Sequence, residues 1–95
     1  MIISEQRFED RKITEYVKYK CPCCGFYTLK EKPVSSYEIC PVCFWEVDRL
    51  QQKDEDYDGG ANRVSLNTAR ENYARCGAIE DRFSDMVRKP LEDEK

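Results

Sequence analysis

Apolar and polar positions alternate with clear helical spacing in only part of this chain. In "SLNTARENYARCG", Leu66, Ala69, Tyr73 and Cys76 recur on one face of a 3.6-residue repeat. Ser65 stands where an N-cap belongs and Gly77 where the C-cap belongs, so the pattern predicts a helix over 66–76. The next segment, "AIEDRFSDMVRKP", repeats the spacing with Ile79, Phe83, Met86 and Val87, and predicts a second short helix stopped by Pro90.

Upstream the pattern changes. "FYTL" and "SSYEI" are aromatic and β-branched runs joined by "KEKPVS", which predicts a hairpin with Pro33 in its connection, and "FWEV" begins a third strand. Residues 1–17 carry Ile2, Ile3, Phe8, Ile13 and Val17 at spacings that fit neither period cleanly; a short helix over about 4–12 and an extended lead-in "TEYVKYK" are expected there. "DEDYDGGANRVS" is polar throughout. Asp54, Asp56, Asp58 and Gly59 match the opening of a calcium-binding EF-hand loop, but its twelfth position is Ser65 rather than Glu, so the segment reads as a solvated acidic loop. The end, "LEDEK", reads as a disordered tail over 91–95.

Composition changes this picture in one respect. The chain has 95 residues, 40% apolar and 37% charged, which is one small domain with a thin core that needs further support. Six cysteines can supply it, as disulfides or as metal thiolates. "MIISEQRFEDRK" lacks the apolar stretch of a secretory signal and no later run is long enough to span a membrane, so a cytoplasmic metal protein without membrane association is the expectation.

The cysteines repeat. "CPCC" at 21–24 aligns with "CPVC" at 40–43, pairing Cys21 with Cys40, Pro22 with Pro41 and Cys24 with Cys43, while Cys23 takes the slot of Val42. A C-x-x-C turn aims two thiolates at one ion, and the full spacing, C-x2-C-x15-C-x2-C, is that of a zinc site. Cys21, Cys24, Cys40 and Cys43 are thus the candidate ligands of one structural Zn2+, a closed tetrahedron with bonds of about 2.3 Å. Iron in a rubredoxin-like centre is the chemical alternative. Cys23 reads as a small apolar residue beside the knuckle, with a redox thiol as the competing reading, and Cys76 reads as core packing on its helix face. Gly25 can close the first knuckle in the left-handed conformation; Phe44 stands at that position in the second, whose closing geometry should differ or carry strain.

Together these elements describe a small α+β zinc ribbon followed by two short C-terminal helices. The expected organisation is an N-terminal extension over 1–17, a zinc-binding domain over 18–90 and the tail. Trp45, Phe44, Phe26 and Tyr37 serve as cover around the metal. The segments "CPCCGFYTL", "YEICPVCFWE" and "GGANRVSLNTARENYARCGA" resemble the bacterial family of cysteine-rich CPCC domains over roughly residues 19–90. The resemblance implies a small metal-binding domain of undefined molecular activity, found near bacterial toxin genes. The chain departs from it in the longer N-terminal extension and in Cys76, where an aromatic is expected.

Catalysis finds little support, because the chain has no histidine and a four-thiolate ion has no open position. Glu46 and Asp48, close to the second knuckle, read as solvated strand positions rather than an acid pair. A non-catalytic protein-interaction module remains, whose acidic loop 54–58 suits a basic partner such as a toxin domain, as in immunity proteins. A nucleic-acid-binding ribbon is the alternative, with Lys18, Lys20, Lys30 and Lys32 near Tyr19, Phe26 and Tyr27. It is disfavoured by the net charge of −3, which four thiolates on zinc would carry to about −5. A thiol or zinc redox sensor is a third reading.

Overall fold

The computed structural model describes residues 18–95, and the helix expected over 4–12 lies outside the described residues. Strand β1 (Tyr19–Lys20) pairs antiparallel with β2 (Tyr27–Leu29), in the register Tyr19 to Leu29 and Lys20 to Tyr27. Helix α1 spans Arg49–Lys53 and helix α2 spans Leu66–Cys76, followed by 3-10 turns at Asp81–Phe83 and Glu92–Glu94. This is a small α+β domain built around a cluster of four cysteines, consistent with a zinc-ribbon-like fold.

The strand pairing differs from the hairpin expected between "FYTL" and "SSYEI". Each knuckle is itself a turn and joins its own flanks: Cys21 N–H donates to the Phe26 carbonyl and Cys40 N–H to the Trp45 carbonyl, both at 2.9 Å. The first knuckle therefore sits inside the β1–β2 hairpin, and the second is flanked by a single bridge between Ile39 and Glu46. The connection between them is closed by Glu38, whose carboxylate accepts from the backbone of Lys30 (2.7 Å) and Glu31 (3.1 Å). "FWEV" contributes only that bridge. The chain then turns into α1, capped by Asp48, whose carboxylate accepts from Gln51 N–H at 3.1 Å.

Helix α2 has the bounds and caps that its sequence indicates. The Ser65 hydroxyl accepts from Thr68 N–H at 3.1 Å, and Gly77 adopts φ 82° with its N–H on the Tyr73 carbonyl. The segment after it is not a second α-helix; it contains one 3-10 turn. Its backbone donors are drawn to the second knuckle, Ile79 N–H to the Cys43 carbonyl (3.0 Å) and Arg88 N–H to the Pro41 carbonyl (3.1 Å). A continuous helical ladder would need those donors within the helix. Met86, expected on a buried face, is largely exposed.

The tail is another correction. Residues 92–94 form a 3-10 turn against β2, and Glu94 is fully buried. Trp45, Leu29, Leu66, Ile79, Val42 and Val47 pack with the cysteines into one core, with Phe26 and Phe44 partly buried against it. Tyr37 does not cover the metal; it is exposed, in the left-handed region at φ 57°. Among the described residues no helix is long and apolar enough to cross a membrane.

Candidate metal centre

The two knuckles have one geometry. Gly25 N–H donates to the Cys21 carbonyl (2.9 Å) and Phe44 N–H to the Cys40 carbonyl (2.8 Å). The closing residues share the left-handed conformation, φ 82° at Gly25 and 76° at Phe44. The second knuckle therefore closes like the first, with a bulky residue in a region that normally favours glycine. Phe44 is held there by stacking on Phe83, with ring centroids 4.3 Å apart, while Arg82 lies over Phe83 at 4.2 Å.

This repeat brings Cys21, Cys24, Cys40 and Cys43 together, with their sulfurs all within 4.8 Å of one another. A tetrahedral ion with bonds of about 2.3 Å needs sulfurs about 3.8 Å apart. The cross-knuckle pairs stand at 3.6 Å (Cys21 and Cys43) and 3.8 Å (Cys24 and Cys40). The four residues thus fit a metal ion, with Cys24 the partly exposed member and the other three buried. Val42 N–H and Trp45 N–H point at the sulfurs of Cys40 and Cys43, each at 3.4 Å, and the Thr28 hydroxyl lies 3.0 Å from Cys40 Sγ. Such donors stabilise thiolates.

Electrostatics gives the same reason for a cation. Crowded together, the four thiols cannot all ionise: contacts from Cys21, then Cys24 and Cys43, hold the Cys40 thiol far below its usual range. The Cys43 thiol is pushed far up, first by Cys21. A bound metal ion reverses that logic and makes four thiolates compatible.

Cys23 is buried in the core as Val42 is, each in the variable slot of its knuckle. Cys76 lies half-buried at the end of α2, its thiol donating to the Ala78 carbonyl at 3.5 Å. Asp48 is a buried helix cap that also accepts from Ala61 N–H (2.8 Å), rather than a solvated strand position. Lys18 is drawn to Glu94 at 3.2 Å, whereas Tyr19, Lys20, Tyr27, Lys30 and Lys32 are exposed, as are Asp54, Asp56 and Asp58.

Sequence reasoning missed a buried polar network beside the centre. Gln51 is fully buried, and its amide donates to the carbonyls of Tyr57 (3.0 Å), Asn62 (3.1 Å) and Val64 (3.1 Å). Gln51 Oε1 accepts from Asn62 N–H (3.1 Å) and Nδ2 (2.8 Å). The Asn62 amide also pairs with the backbone of Glu46, accepting its N–H at 2.9 Å and donating to its carbonyl at 2.8 Å, as a neighbouring strand would. The signal available was "GGAN", three small residues and a short amide following the acids of 54–58.

No curated protein matches the chain. The family described as Cysteine-rich CPCC matches residues 19–94, from the first strand to the docked tail. With its two knuckles, its four gathered sulfurs and that match over most of its length, the chain belongs to the Cysteine-rich CPCC family.

Proposed function

We propose that this protein is a non-catalytic interaction module: one structural Zn2+ on Cys21, Cys24, Cys40 and Cys43 fixes the ribbon, and the folded domain binds a basic protein partner. Neutralisation of a bacterial toxin is the form of that activity we favour. The carrying observation is the sulfur cluster, whose near-tetrahedral spacing and burial support an ion with no open coordination position. Zinc suits four thiolates without a redox partner; iron would give a coloured, redox-active centre. The exposed acids of 54–58 support the choice of a basic partner.

Native mass spectrometry with elemental analysis tests the metal, with one zinc per chain expected. Co-purification with the products of neighbouring genes tests the role. Capture of a basic protein by the wild-type chain, lost when Asp54, Asp56 and Asp58 are changed together to Asn, is the expected result. A wild-type chain that captures nothing removes the proposal.

The exposed Tyr19, Lys20 and Tyr27 on the hairpin support nucleic-acid binding as a second reading. The engagement of Lys18 with Glu94 weakens it. Binding to single-stranded nucleic acid with a steep salt dependence would favour this reading.

A further inference from the structure

The two knuckles are braced at matching points by unlike means. In each, the carbonyl of the proline that follows the first cysteine accepts a hydrogen bond from an arginine of the C-terminal half: Pro22 from Arg70 Nε at 3.0 Å, Pro41 from the Arg88 backbone N–H at 3.1 Å. Each arginine in turn grips a carboxylate. Arg88 meets Glu94 in two bonds, at 2.8 and 2.9 Å, and Glu94 is fully buried. Arg70, on α2, reaches Glu55 at 2.7 Å with one nitrogen, which also contacts Asn67 Oδ1 at 3.3 Å. The side chains of Arg70 and Glu55 are 38% and 44% exposed.

An ion pair in water is weak and screened by salt, whereas a buried carboxylate that loses its partner is left as an uncompensated charge. The first knuckle is therefore held by the weaker brace. Glu55 is tied to α2 a second time, through its carbonyl on the Asn67 N–H at 3.0 Å, so parting Glu55 from Arg70 frees the guanidinium while the segment stays docked. The cysteines divide in the same way. Cys40 and Cys43 of the second knuckle are fully buried, while the first knuckle contains Cys24, the one partly exposed member of the four.

We propose that metal exchange at the four cysteines runs through the first knuckle, with Arg70 and Glu55 as its latch. The pair parts, Arg70 leaves the Pro22 carbonyl, and the turn opens with Cys24 giving up its place to an incoming ligand while Cys40 and Cys43 keep theirs. Arg70 is a positioning residue: its hydrogen bond goes to the backbone of the turn. This rests on the reading of the four cysteines as the holders of one structural ion.

The zinc-loaded full chain tests it in two ways. Transfer of zinc to a chelator, at chelator concentrations where the rate no longer depends on them, should quicken about two- to fivefold in Arg70→Ala and in Glu55→Gln, the factor an exposed ion pair is worth. Raising the salt from about 0.1 to about 1 M should quicken transfer in the wild type and in neither variant. Amide hydrogen exchange then compares the twin turns, since Gly25 N–H and Phe44 N–H make the same bond in each. Gly25 should exchange faster in both variants, with Phe44 unchanged. Equal quickening at Gly25 and Phe44 would mean a general loss of stability and would overturn the latch, as would a Glu55→Gln variant that transfers zinc at the wild-type rate. A chain that binds no metal removes the structural-ion reading and the latch with it; a loaded chain whose two knuckles open together removes the latch alone.

Discussion

Gly25 and Phe44 close their two C-x-x-C turns at the same position and share one left-handed backbone, φ 82° and 76°, although only one of them is glycine. At Gly25 the nearest atom to an added Cβ is Lys20 Cε at 3.9 Å, so space is available and only the backbone resists a side chain. At Phe44 the same resistance is offset by the ring stacked on Phe83. Gly25→Ala should therefore lower stability by about 1–2 kcal/mol while retaining the metal. Phe44→Gly should be more stable than Phe44→Ala, because both lose the ring but only glycine relaxes the backbone. Urea denaturation of the metal-loaded variants checks both; Phe44→Ala equal to or above Phe44→Gly would show that no strain resides there.

Replacing Cys21, Cys24, Cys40 or Cys43 with Ser should abolish stoichiometric metal and unfold much of the domain, because forming the site and folding are one event. Cys23→Ala should keep one metal per chain in native mass spectrometry, since Cys23 fills the slot that Val42 fills in the other knuckle. Removing the metal with a chelator should likewise erase the near-ultraviolet circular dichroism of the buried Trp45.

Gln51→Ala strands three carbonyls and the Asn62 amide without their partner, and should cost about 2–3 kcal/mol. Asn62→Ala should cost a similar amount, and the double variant less than the sum, because the two amides share one network. Faster hydrogen exchange at the amides of Ala61 and Asn62 in Gln51→Ala would localise the loss. Additive effects would argue against coupling.

The Arg88 guanidinium, with help from the Leu91 amide and Lys18, holds the Glu94 carboxyl down at about 2. A folded pKa below the unfolded value of about 4.5 means that the stabilisation is complete above that value and is lost as pH falls toward 2. Glu94→Gln should therefore be less stable by about 2 kcal/mol near neutral pH, with the difference shrinking between about pH 4.5 and 2. Acid also protonates the cysteines, so the readout is wild type minus variant at each pH. A difference that does not change with pH would contradict the role of Glu94.

The features legible in the sequence are local ones. The repeat of "CPCC" on "CPVC" aligned the knuckles, and Ser65 and Gly77 marked both ends of α2, because turn and cap preferences act over a few residues. The same local reasoning failed wherever a partner came from farther along the chain. "FYTL" had the composition of a strand, but composition does not name its neighbour, and the knuckle turn supplied Tyr19–Lys20 instead of "SSYEI". Segment 78–90 had helical spacing, yet its donors went to carbonyls of the second knuckle.

The tail shows the limit most plainly. "LEDEK" is charged enough to read as disordered, and only the fold brings Glu94 to Lys18, 76 positions away, and to Arg88. The sequence by itself determined which four cysteines could share an ion, where α2 begins and ends, and the family to which the chain is similar. Tertiary structure alone decided how the strands pair, that Phe44 closes its knuckle as a glycine would, and that Gln51 and Asn62 hold the acidic loop. Spacing and capping preferences are written in neighbouring residues, whereas a buried amide or carboxylate gains its stability from whichever distant group the fold delivers to it.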